Sequence, residues 1–166
     1  MKRLSDKLVE LFNFRIKAEL ESSYLYEAMA CTLDFKGFKY AAKLWREDAE
    51  GERLHAKWAI DYMLGLDVLP TIPTIVVPKE QKWPGIKEIV DATVVHEDMV
   101  TSQCKDLAKL ALTSEDTLTY SFVADHYLKE QVEELQKVLE RQKYTQLFLE
   151  NKDYGALEKY FKHQLK

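Results

Sequence analysis

Residues 66–84 read Leu-Asp-Val-Leu-Pro-Thr-Ile-Pro-Thr-Ile-Val-Val-Pro-Lys-Glu-Gln-Lys-Trp-Pro, and every proline of the chain lies here, at Pro70, Pro73, Pro78 and Pro84. Proline lacks a backbone donor and clashes with the preceding turn, so this stretch cannot be helix. Thr74-Ile75-Val76-Val77 is β-branched and extended in character. A structureless connection this long is unusual in a compact domain unless it has distance to cover. At about 3.3–3.6 Å per residue it can run the length of a helix of about thirty residues, about 40 Å at 1.5 Å per residue. The helices before and after it are then parallel.

Helical periodicity takes over on both sides. The first helix spans about 5–34, opened by Ser5 and Asp6 and closed by Gly37. Leu8, Leu11, Phe12, Arg15, Ile16, Glu19, Ser22, Tyr26 and Met29 follow helical spacing, which puts Glu19 and Tyr26 on one face. A second helix covers 38–64, with Gly65 as its stop. The third covers 85–112, with Ile86, Ile89, Val90, Thr93, Val94, Glu97, Val100, Cys104, Leu107 and Ala111 inward. Thr113-Ser114-Glu115-Asp116 restarts the chain with a capping residue and acids suited to a helix N-terminus. The fourth helix runs on to 144 with Tyr127, Gln131, Glu134 and Leu135 on one stripe, and a short fifth covers 153–163. Two short connections and one long one describe a single all-α domain over 1–166, a four-helix bundle (5–144) with one crossover.

Composition agrees. Only 5 Gly and 4 Pro leave little chain for turns, and 46% hydrophobic with 31% charged residues describes a soluble globular chain with one sizeable core. A net charge of -4 without a basic, aromatic-interleaved cluster argues against nucleic acid. No apolar run approaches the roughly 20 residues that span a bilayer. The N-terminus, MKRLSDKLVEL, is amphipathic with no signal-peptide core, so the expected location is the cytoplasm. Cys31 and Cys104 lack CxxC spacing and are expected as reduced, half-buried thiols. Glu47-Asp48-Ala49-Glu50 reads as a solvated stripe, and Trp45, Trp58 and Trp83 as exposed material compatible with interfaces.

The chemistry starts at Glu52-Arg53-Leu54-His55. A Glu and a His three residues apart on a helix point to the same side, and Ala41, Leu44, Ala59 and Tyr62 turn that side inward. A carboxylate beside an imidazole in a dry interior needs a reason, of which a metal ion is the commonest. Glu19, Glu97, Gln131 and Glu134 lie near the middles of the other three helices, so all six side chains are expected at one level. Unpaired buried carboxylates would cost several kcal/mol each. Two divalent metals bridged by Glu52 answer that cost. One imidazole among several carboxylates suits iron or manganese better than a thiolate-preferring metal, and the acids exceed what structural zinc needs. His96, His126 and His163 read as structural or exposed, and Tyr127 as a core aromatic.

Glu19 with Tyr26 seven residues on, Glu52-x-x-His55, Glu97 and Glu130-Gln131-Val132-Glu133-Glu134 together resemble the bacterial non-haem ferritins. The likeness covers the four main helices, the crossover and the terminal helix. It implies a ferritin-like bundle that assembles into a hollow homo-oligomeric shell of twenty-four chains. It implies a ferroxidase that oxidises Fe(II) with O2 or H2O2 at a centre of two irons per subunit and stores ferric mineral inside. Glu19, Glu52 and His55 would hold the first iron. Glu52, Glu97 and Glu134 would hold the second, with Gln131 near it and Tyr26 as a redox-capable neighbour.

Several positions depart from that pattern. Glu130 and Glu133 match a third iron site found in the family, but Gly51 stands where its remaining acid would be. His126 replaces the aromatic, often Trp, five residues before Gln131, and Ser121 and Ala124 occupy positions that line acidic channels in animal ferritins. Gln131-x-x-Glu134 stands where a symmetric di-iron site carries Glu-x-x-His, which argues against bacterioferritin, rubrerythrin and ribonucleotide-reductase-like readings. Arg53 sits where haem-binding members place Met, so no haem is expected. Two alternatives stay open at this stage: a non-storing di-iron oxidase or peroxidase of the same superfamily, and a purely structural helical bundle.

Overall fold

A computed structural model describes residues 3–76 and 78–165. Val77, within the extended segment, and the first two residues of the amphipathic N-terminus lie outside the described residues. Four long helical members build the bundle. They are α1 (Asp6–Phe35), α2 (Lys39–Gly65), α3 (Ile86–Thr113) and a continuous run of α4 (Thr117–Val123), a π-helical turn (Ala124–Leu128) and α5 (Lys129–Glu150). A short α6 (Tyr154–Gln164) closes the chain. Among the described residues no helix is long and apolar enough to cross a membrane.

The helix ends follow from local chemistry. Ser5, Asp116 and Asp153 accept a hydrogen bond from the amide three residues on, the geometry of an N-cap. α2 has no side-chain cap of its own. Instead the Glu158 carboxylate of α6 accepts from the amides of Tyr40 and Ala41 at 2.9 and 3.2 Å. At the C-terminal ends the chain reverses through a left-handed residue in each of four places, Gly37 (φ 91), Asp67 (φ 57), Glu115 (φ 56) and Lys152 (φ 53). In each case the next amide returns to the last turn, as Phe38 N does to Leu33 O at 2.9 Å and Val68 N to Met63 O at 2.9 Å. Gly65 is therefore the last residue of α2 rather than its stop, and Asp67 makes the reversal.

The proline-rich segment travels. Thr71 N donates to Asn13 Oδ1, Val76 N to Glu21 Oε1, and Thr32 Oγ1 to Gln81 O. These contacts step along α1 from its N-terminal to its C-terminal half, so α3 begins beside the end of α1 and runs parallel to α2.

The fourth member differs from expectation in two ways. It continues to Glu150, beyond residue 144, because nothing from 145 to 150 breaks a helix and Thr145 is buried while Phe148 and Leu149 pack toward the core. It also contains the π turn. Thr119, Val123, Tyr127 and Gln131 are all buried and spaced by four. In a regular helix each step of four drifts about 40°. The π turn takes up that drift and keeps all four side chains inward.

The apolar core is split. One cluster includes Met29, Leu33, Trp45, Trp83, Ile89 and the α6 residues Leu157 and Phe161. The other includes Leu8, Phe12, Ile16, Met63, Val100, Leu107 and Val123. Trp45 and Trp83 are thus buried rather than exposed; Trp45 donates to Thr93 Oγ1 at 3.1 Å and carries the Arg141 guanidinium on its face. Cys104 is buried, whereas Cys31 is exposed on the outside of α1. Between the two clusters lies a polar belt of buried Arg15, Glu19, Glu52, His55, Glu97 and Gln131.

Candidate metal centre

α1 and α2 supply the tightest part of the belt. Glu19, Glu52 and His55 are all buried, and each offers one donor atom such that the three lie within 4.8 Å of one another. His55 Nδ1 is 3.1 Å from Glu52 Oε2 and 3.9 Å from Glu19 Oε2. Glu19 Oε2 is buried with no N–H or hydroxyl donor on it; in the metal-free chain it shares a proton with the neighbouring Glu52 carboxyl, the place a cation would take. Burial pushes the Glu19 carboxyl up to about 8, against the pull of Arg15. Burial likewise raises Glu52 to about 8; a hydrogen bond with Glu19 opposes the rise, and the Glu97 and Glu134 charges add to it. Two buried acids raised to about 8 even with Arg15 beside one of them, next to an imidazole, match a hard divalent cation as a further partner.

α3 and α5 supply the rest in a different state. Glu97 is 1% exposed, and both of its oxygens are engaged. Tyr26 Oη donates to Oε1, and Gln131 Nε2 donates to Oε2 at 3.0 Å. Gln131 also donates to Thr101 Oγ1 at 3.1 Å, so it steers Glu97 rather than joining the three-residue group. Burial raises Glu97, and it holds the Tyr26 phenol well above its ordinary range. Glu134 is tied in an ion pair to Lys137. Glu130 sits at the rim, its Oε1 3.6 Å from His55 Nε2, and Glu133 is exposed. Tyr127 donates to the His55 carbonyl at 2.7 Å, fixing the α2 backbone beneath the imidazole.

The other histidines stand apart from the group. His96 Nε2 is 2.8 Å from Ser22 Oγ, and burial pushes its imidazole down to about 4, with Arg15 adding to the effect. His126 and His163 are exposed. Gly51 is mid-helix with nothing within 4 Å of where a Cβ would stand.

A ferritin-like domain family matches residues 9–148. The chain belongs to the ferritin family. Bacterial non-heme ferritin of Escherichia coli is 31% identical over 131 residues, 79% of this chain and 78% of that protein. A probable bacterial non-heme ferritin-like protein of Haemophilus influenzae is 29% identical over 162 residues, 93% of this chain and 97% of that protein. Among solved structures, an open pore ferritin of the archaeon Archaeoglobus fulgidus superposes with a TM-score of 0.91 at 28% identity, covering 96% of this chain and 98% of that one.

Within this ferritin-family bundle, two charged groups near the centre escaped the sequence reading. Arg15 is 1% exposed, with Nε 2.8 Å from Glu19 Oε1 in an ion pair that is not aligned as a hydrogen bond. Its Nη1 donates to Gln103 Oε1 at 2.8 Å. The signal was present, since an arginine shares the apolar stripe of α1 one turn before Glu19. The second group is Asp48 with Lys137 and Arg141. Asp48 is no part of a solvated stripe. Lys137 Nζ is 3.0 Å from Asp48 Oδ1, and Arg141 grips both carboxylate oxygens. Burial works against its charge, but these two cations hold the Asp48 carboxyl below its usual range.

Proposed function

We propose that this chain oxidises Fe(II) at the belt between its two apolar clusters and stores the ferric product inside a hollow assembly of its own copies. The observation that carries this reading is the convergence of Glu19, Glu52 and His55, with one buried carboxylate oxygen left without an N–H or hydroxyl donor, in a ferritin-family bundle. Iron is substrate and cargo here. Glu19, Glu52 and His55 take the first ion; Glu52, Glu97 and Glu134 take the second, with Gln131 orienting Glu97. Carboxylate oxygens favour Fe(III) over Fe(II), which makes electron loss to O2 or H2O2 easier. Tyr26, hydrogen-bonded to Glu97, is placed to serve as a redox-capable neighbour. Glu130 and Glu133 form the outward step, a third position short of one acid because residue 51 is Gly.

Assembly is part of the proposal. Phe35 is 92% and Leu69 84% exposed on the single chain, and surfaces of that kind fit burial against further copies. A shell of twenty-four chains in the cytoplasm is the form of assembly proposed, as the resemblance in sequence motifs implies.

The test is stepwise aerobic Fe(II) addition to metal-free protein, then desalting and an assay of retained iron per chain. Retention of many more irons than the ligands can hold supports storage in a closed shell. Retention of about two, the capacity of one di-iron site, replaces storage with a di-iron oxidase. Glu52→Ala abolishes rapid oxidation on this reading; unchanged kinetics would overturn it.

A further inference from the structure

We propose that Lys137 is a built-in competitor for the second metal position: its ammonium clamps Glu134 to Asp48 until a metal ion displaces it. The inference rests on the reading of Glu134 as a ligand of that position.

Three observations carry it. Lys137 pairs with Glu134 and at the same time lies 3.0 Å from Asp48 Oδ1, so one ammonium bridges two carboxylates. Glu134 is absent from the group of donors within 4.8 Å, which comprises Glu19, Glu52 and His55 alone among the described residues. The Lys137 side chain is 31% exposed and borders a cleft of about 540 Å³ that also touches Asp48, Glu52, His55, Glu130 and Glu134. The ammonium therefore has room to swing off Glu134 while it stays on Asp48 at the edge of the cleft.

The charge arithmetic favours a switch rather than a permanent lock. Asp48 keeps Arg141 on both oxygens and does not need Lys137 to stay paired. Among the described residues Lys137 is the one cation paired with Glu134, and burial raises the Glu134 carboxyl while Lys137 opposes that rise. A metal ion that reaches Glu52 and Glu97 offers Glu134 a doubly charged partner in place of a singly charged one. Lys137 then remains on Asp48, and no charge is left buried without a partner. Positions one and two fill in order because the first group is already assembled and the second must break an ion pair.

The test is an anaerobic Co(II) titration of the metal-free full-length protein, followed by calorimetry and visible absorption. The wild type should show two steps, the second weaker. Lys137→Met should tighten the second step by about tenfold and leave the first within about twofold, whereas Lys137→Arg, which keeps the charge, should leave the second step weak. A purely structural role would move both steps together. An unchanged second step in Lys137→Met overturns the proposal, and so does one unchanged in Lys137→Gln should the Met variant fail to fold. Glu134→Gln separates the two levels. If it removes the second step while Lys137→Met changes nothing, Lys137 alone is misassigned; if both steps persist in Glu134→Gln, the reading of Glu134 itself falls.

Discussion

Filling the first metal position should expel protons, and the number can be worked out. Glu19 and Glu52 sit at about 8 in the metal-free chain, raised chiefly by burial. A group with that value is about nine-tenths protonated at pH 7. The two carboxylates interact, so they titrate as a pair in two macroscopic steps rather than independently. The pair therefore carries between about one and two protons at pH 7, and a metal bound through ionised carboxylates must displace them. Zn(II) is the probe of choice because it does not oxidise, and ferric hydrolysis adds no protons to the count. Calorimetry in two buffers of different ionisation heat should give about one to two protons released per chain at pH 7. Release should fall toward about half that at pH 8 and approach zero about two units above it. The logarithm of apparent affinity should rise with pH at the same slope. Glu19→Gln should remove about one proton from the release at pH 7. Release below about half a proton at pH 7, or release that grows as pH rises, would refute the link between burial and metal capture.

Three further outcomes follow from the same geometry. Because burial raises Glu19 and Glu52 above their ordinary value of 4.5 to about 8, the folded metal-free chain binds more protons than the unfolded chain in that window. Stability from this source is present below the unfolded value and lost as pH rises toward 8. The denaturation midpoint of metal-free protein should accordingly decline from pH 5.5 to 8, and Zn(II) should remove the decline; a rising midpoint would contradict the assignment. Glu158→Ala strips the side-chain acceptors from the first turn of α2 and should cost about 0.5–2 kcal/mol, read from urea unfolding of the dissociated chain. Gly51→Ala meets nothing within 4 Å in the middle of α2, so it should gain about 0.5–1 kcal/mol in the same assay.

The bundle and its crossover were legible in the sequence because their causes are local. Four prolines between residues 70 and 84 keep helix out of that stretch, and the helical stripes on either side repeat within a few residues. The meeting of Glu19, Glu52 and His55 was legible for a related reason: mid-height on helices of similar length is a geometric constraint that needs no knowledge of packing detail. What escaped notice depended on partners far away in the chain. Asp48 looked solvated beside Glu47 and Glu50, because its cations, Lys137 and Arg141, come from another helix. Trp45 looked like interface material until Arg141 and Phe161 were found against it. The π turn was hidden as well, although three successive spacings of four from Thr119 to Gln131 were its trace.

On the proposed reading the belt and its neighbour Glu134 have to be tolerable before iron arrives, and their carboxylates are quieted by three means. Glu19 and Glu52 hold protons, with Arg15 beside the former. Glu97 accepts from Tyr26 and Gln131. Glu134 is bound to Lys137. These provisions let the chain fold with four acids in its interior, where unpaired charges would cost several kcal/mol apiece. They also set what iron must overcome on entry. The protons of Glu19 and Glu52 are mostly bound at pH 7 and are displaced more easily toward pH 8, but the donors of the α1–α2 side already stand together, so that side is the easier one to fill. Two hydrogen bonds to Glu97 and an ion pair on Glu134 guard the α3–α5 side, so an ion there is held against standing competition. For an enzyme that keeps its metals, such competition is a handicap. For a centre whose product must move on to a store, weak retention on one side is the useful property, and the same Lys137 that delays entry is positioned to reclaim Glu134 as the ion departs.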